Sequence, residues 1–109
     1  MKASEFCTTA AGLVSGDRHK THGDKVENHQ NIAALWNAYL GYRLPEGCQL
    51  TPLDVALMMS LLKVARTKLG AHNPDNYVDL AGYAGVAGEI AEQLAVLADF
   101  RDGAERPLK

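Results

Sequence analysis

Asn73-Pro74-Asp75-Asn76-Tyr77-Val78-Asp79-Leu80-Ala81-Gly82-Tyr83 opens the longest helix that this sequence predicts. Asparagine is a favoured helix cap, and proline suits the first turn, where no backbone N–H is needed. The helical pattern then runs without a break to about Phe100. Gly82, Gly85 and Gly88 lie inside it, and each is less favourable than alanine there by ~1 kcal/mol. With Ala81, Ala84 and Ala87 they form a segment of very small side chains. Such a segment predicts the close approach of another helix or, less commonly, of a ligand to the backbone. Asp75 and Asp79 stand four residues apart and project from one face, which Tyr83 continues one turn on.

Upstream, Thr51-Pro52-Leu53-Asp54 is the sharpest helix start in the chain. Thr51 is a cap, Pro52 fills the first turn and Asp54 completes a capping box. The helix continues through Arg66, with a stop at Gly70, and is apolar nearly all round. That pattern predicts a central helix, covered by other helices or by a partner chain. A further helix starts at Asp24, with Glu27 three residues on, and ends at Gly41. Val26, His29, Ala33, Trp36 and Leu40 form its apolar stripe, which Ile32, Leu35 and Tyr39 widen. Trp36 and Tyr39 read as core. A short first helix is expected over Glu5 to Val14, capped by Ser4, with Phe6, Ala10, Leu13 and Val14 as its apolar side. The polar stretch 15–23 reads as a loop and 101–109 as a frayed tail. No run alternates as a strand would. The sequence therefore predicts an all-α, single-domain bundle of about four helices spanning 1–109, the first short.

The overall balance narrows the function classes. A net charge of −2 argues against a protein that lives on nucleic-acid phosphates. No apolar run nears the ~20 residues that cross a bilayer. The first residues lack the apolar core of a secretory signal, so the expected location is the cytoplasm. Cys7 and Cys48 have no CxxC spacing and read as buried or incidental thiols. His19, His22, His29 and His72 form no HxxxH or HxH pair, which argues against zinc.

Two constellations stand out. Asp75 and Asp79 can chelate Mg²⁺ or Mn²⁺, which prefer oxygen ligands. Asp75 can equally serve only the helix dipole, and Asp79 only a structural ion pair. Lys63 and Arg66 interrupt an otherwise apolar helix at i, i+3 spacing, so their charges must be paired or face a cavity. They read either as a phosphate clamp or as the cationic side of a salt bridge to Asp79, and such a bridge can itself line a cavity. Asn28 and Asn31 share a helical face that a ligand could contact. Asp54 is explained by its capping role.

The order of these pieces is itself informative. Ser15-Gly16-Asp17-Arg18, His22-Gly23-Asp24, Asn28, Ala34-Leu35-Trp36, Leu50-Thr51-Pro52-Leu53-Asp54-Val55-Ala56, Leu62-Lys63-Val64-Ala65-Arg66 and the stretch from Asp75 to Tyr83 succeed one another along about 10–91. This string resembles a family of small uncharacterised proteins of tailed phages and prophages, classed as a domain of unknown function. More distantly, the chain is similar to the all-α nucleoside triphosphate pyrophosphohydrolases of the MazG type. Those enzymes hold Mg²⁺ against a triphosphate with an ExxE on one helix and an ExxD on the next. Here Asp75 and Asp79 would stand for the second pair, while Lys63 and Arg66 occupy the helix where the enzymes place ExxE.

That resemblance implies recognition of a nucleotide or another phosphorylated small molecule, by an enzyme or by a binding-only relative. In the enzyme, Asp75 and Asp79 would hold Mg²⁺ or Mn²⁺, with Asp79 and Lys63 as the catalytic pair. Arg66, Asn76, Tyr83 and Asn28 would bind the ligand. The alternative is a non-enzymatic module that engages a host or phage protein, with the polar cluster as a buried network. Either way, the apolar helix predicts a homo-oligomer.

Overall fold

The computed structural model describes residues 1–15 and 25–105, with side chains to Arg101. Four α-helices account for most of this: α1 over Ala3–Ser15, α2 over Lys25–Leu40, α3 over Pro52–Arg66 and α4 over Pro74–Glu105. The described residues contain no strand, so the all-α reading holds. The expected loop over 15–23 and the Asp24 cap fall almost wholly outside the described residues.

Local chemistry sets the helix ends. The Thr51 hydroxyl accepts from the Asp54 N–H at 3.1 Å, and Asp54 Oδ2 accepts from the Thr51 N–H at 2.8 Å, which is the reciprocal capping box. Asn73 Oδ1 accepts from the Asp75 N–H at 3.0 Å and starts α4 as the sequence predicts. α1 begins two residues earlier than expected, because the Lys2 carbonyl takes the N–H groups of Glu5 and Phe6. α4 runs on to Glu105, so the helical backbone continues into the segment expected to fray. α3 stops at Arg66, and the chain then turns through Gly70 at φ +87°, a left-handed conformation that glycine adopts without strain.

α3 and α4 form the central pair; α1 packs on α4 and α2 on α3. One core joins them, with Ala56, Val86, Ala87 and Ile90 buried and Val14, Val26 and Leu53 packed on them. Every helix contributes to it. Gly82 is the point of close approach: a Cβ there would sit 3.4 Å from Val14 Cγ1. Gly85 and Gly88 have nothing within 4 Å, so close helix approach explains one of the three glycines. Phe6 meets the Tyr77 ring edge-on with centroids 6.1 Å apart, tying the start of α1 to the start of α4. Asn37 anchors the connection before α3, accepting from the Leu50 N–H at 2.8 Å and donating to its carbonyl at 3.0 Å.

Several apolar residues lie outside this core. Trp36 is half-buried, but Tyr39 is 79% exposed and Leu35 is exposed as well. They fall on the far side of α2, where the Arg43 guanidinium lies 5.9 Å from the Tyr39 ring and 5.2 Å from Tyr42. α3 buries Val55 and Ala56 completely, yet Leu57, Met58, Leu61 and Leu62 stay exposed. Beyond Ile90, α4 has no fully buried described side chain. Cys7 and Cys48 are exposed free thiols. No described helix is long and apolar enough to cross a membrane.

Candidate functional site

The short turn between α3 and α4 makes them antiparallel neighbours. Lys63 lies one turn before the end of α3, and Asp79 just over one turn into α4. The hairpin therefore brings them level, and Lys63 Nζ sits 3.1 Å from Asp79 Oδ2. The lysine is buried in the interface, while the Asp79 side chain keeps 29% of its exposure. Lys63 makes the salt bridge, and the bridge lines a cavity.

That cavity has a volume of ≈330 Å³ and takes lining residues from all four helices. α1 supplies Leu13 and Val14; α2 supplies Lys25, Asn28, His29 and Ile32; α3 supplies Met59 and Lys63; α4 supplies Asp79, Gly82, Tyr83 and Val86. Small-molecule sites commonly span ~300–1,000 Å³, with mostly apolar walls and a few convergent polar groups. This cavity has that make-up near the lower size limit. Gly82 opens space where α1 crosses α4, and Asn28, which is exposed, stands at the rim.

The sequence candidates divide between places. Lys63, Asp79, Tyr83 and Asn28 share the cavity. Arg66 and Asn76 line a different hollow beside Leu69 and Asn73, at the α3–α4 turn. Three residues beyond Lys63, Arg66 has rotated away and is exposed. Asp75 is also exposed and lies outside the lining. A divalent ion in the cavity would therefore find one described lining carboxylate, Asp79, already engaged by an ammonium group. Among the described residues no three His, Cys, Asp or Glu side chains gather as a metal site would need. The described lining alone does not supply the donor set of a protein-held ion.

Two polar lining residues were not singled out as site residues by the sequence reading. Lys25 pairs with Glu89 across α2 and α4 at 3.3 Å. His29 is buried, with Nδ1 2.6 Å from the Lys25 carbonyl oxygen. Its signal was present in the sequence: it is the one polar member of an otherwise apolar stripe.

The family model described as a domain of unknown function, DUF6378, matches residues 5–91. The chain belongs to this family. The matched segment includes every described cavity-lining residue of this DUF6378 chain. It is 48% identical over 79 residues to the Gene 55 protein of Mycobacterium phage L5, an alignment covering 72% of this chain and 47% of that protein. It is 37% identical over 84 residues to the Gene 55 protein of Mycobacterium phage D29, covering 77% and 52%. The chain spans about half the length of these curated relatives. No solved structure matches it. The resemblance to phage proteins is thereby borne out, whereas none of these matches speaks for the likeness to pyrophosphohydrolases.

Proposed function

We propose that this phage-type protein binds a small phosphorylated molecule, of the nucleotide class, in the cavity between its four helices. The observation that carries the reading is the pair of ammonium groups in the described lining, Lys25 and Lys63, which Glu89 and Asp79 each hold through one carboxylate oxygen. Their remaining N–H donors suit an anionic guest. Asp79 orients Lys63, and the ammonium has further N–H donors for phosphate oxygens. Tyr83 offers a hydroxyl that both donates and accepts, and Asn28 an amide at the rim. In this reading Asp79 is a positioning residue rather than a metal ligand, and the protein acts as a binder.

The test is a thermal-shift and turnover panel of ribo-, deoxyribo- and cyclic nucleotides with Mg²⁺, Mn²⁺ or EDTA. The expected result is stabilisation that persists in EDTA and disappears in Lys63→Met. Metal-dependent pyrophosphate release, lost in Asp79→Asn, would make the protein an enzyme of the pyrophosphohydrolase type. A flat response across the panel would refute the reading.

One observation favours a protein partner in addition. The exposed face of α3, with Leu57, Leu61 and Leu62, is the surface a second copy or a host protein would cover. Self-association is the expected form. A monomer by light scattering at micromolar concentration would refute it.

A further inference from the structure

A residue that lines the cavity carries a buried hydrogen-bond acceptor that no described protein group uses. His29 is 7% exposed, and its Nδ1 lies 2.6 Å from the Lys25 carbonyl oxygen. A carbonyl only accepts, so Nδ1 carries the hydrogen of this bond. In the neutral ring Nε2 is then left with the lone pair. Nε2 is buried and has no hydrogen-bond partner among the described residues. It belongs to the ring edge turned away from the Lys25 carbonyl, on a residue that lines the cavity with Lys25, Lys63 and Tyr83.

Packing does not call for this atom. The other buried position of α2 is Ala33, and Val26 and Ile32 flank the stripe with plain hydrocarbon. A leucine would fill the same stripe without stranding an acceptor. A buried acceptor left without a donor is unfavourable, and native proteins seldom keep one without a use. The Nδ1 bond to the helix carbonyl then has a purpose. It fixes the tautomer of the neutral ring, in which Nε2 carries the lone pair.

We infer that His29 Nε2 accepts a hydrogen bond from an N–H or O–H group of the ligand, and so selects a molecule that carries both a phosphate and a donor. This rests on the reading of the cavity as a site for phosphorylated ligands and narrows it. A nucleotide, with base N–H and sugar O–H groups, satisfies both demands. Inorganic pyrophosphate satisfies only the first. A guest without a donor leaves Nε2 stranded and forfeits the affinity that pairing supplies.

The experiment uses the full chain with ¹⁵N-labelled histidine and two probes, deoxyadenosine triphosphate and pyrophosphate. Two-bond ¹H–¹⁵N spectra of the free protein should show His29 protonated on Nδ1, with an unprotonated Nε2. The nucleotide should move the Nε2 resonance in the hydrogen-bonded direction, and pyrophosphate should not. By titration, His29→Leu should weaken the nucleotide about tenfold, the equivalent of about 1.4 kcal/mol, and leave pyrophosphate within about twofold. His29→Phe, which keeps a ring in place, should do the same.

The opposite tautomer, an unmoved Nε2 signal, or equal losses for the two probes would overturn the assignment while the phosphate reading stood. If the wild-type chain bound neither probe, the cavity reading would fall, and this inference with it. The spectra on the wild-type protein decide the matter even if the variants fail to fold.

Discussion

Replacing Asp79 by asparagine removes the carboxylate that pairs with Lys63 between α3 and α4. The Lys63 side chain retains 11% of its exposure, so its ammonium cannot recover full hydration once its partner is gone. Breaking an enclosed pair by removing one member costs ~3–5 kcal/mol, because the survivor is left buried and unpaired. Asp79 is 29% exposed, so water reaches part of this pair and the expected cost falls to about 2–3 kcal/mol. For a domain of this size that is a drop in Tm of roughly 8–15 °C.

The reverse substitution should be milder. Lys63→Met removes the buried cation and leaves the better-exposed acid, which can hydrate, so about 1 kcal/mol is expected. The double variant Lys63→Met/Asp79→Leu should come close to wild type, since an apolar pair needs no desolvation of charge. Urea melts of the four proteins measure all three differences. If Asp79→Asn costs under about 0.5 kcal/mol, or less than Lys63→Met, Lys63 does not depend on Asp79 and the reasoning fails.

Gly85→Ala and Gly88→Ala should each stabilise the chain by about 0.5–1 kcal/mol, because both lie in a helix and a Cβ meets nothing within 4 Å. A loss of stability at either would mean that something covers that face. Thr51→Ala should cost about 1 kcal/mol by dismantling the capping box of α3, read as a lower urea midpoint at unchanged slope. Arg66→Ala should leave the response to nucleotides within about twofold while Lys63→Met abolishes it, since a charged hydrogen bond is worth more than the roughly 1.4 kcal/mol of a tenfold change. Equal losses in thermal shift would place the ligand at the α3–α4 turn instead.

The helices were legible because their signals are local. Thr51 with Asp54, and Asn73 with Pro74, mark helix starts through bonds that close within three residues, and no distant contact is needed to form them. The stripe from Val26 to Leu40 could be read for the same reason, since its spacing is a property of one helix. Exposure was less legible. Tyr39 and Leu35 widen that stripe in the sequence, but His29 and Ala33 are its buried members. Whether an apolar residue is covered depends on how many helices surround it, which its own helix does not encode.

The site shows the same division. The sequence offered a bridge to Asp79 from Lys63 or Arg66, and the antiparallel α3–α4 hairpin, which sets Lys63 level with Asp79, decided between them. Arg66 and Lys63 looked equivalent in the sequence, yet the roughly 60° and ~4.5 Å that separate residues three apart on a helix set them in different hollows. His29 showed itself only as a polar residue in an apolar line. Its role needed two facts about its surroundings: the Lys25 carbonyl that occupies Nδ1, and the lack of a partner for Nε2 among the described residues. By itself the sequence determined the helices and the caps of α3 and α4, since each depends on short-range geometry. Only the tertiary structure decided which polar atoms meet in one cavity and which one is left over, because those are sums over four helices at once.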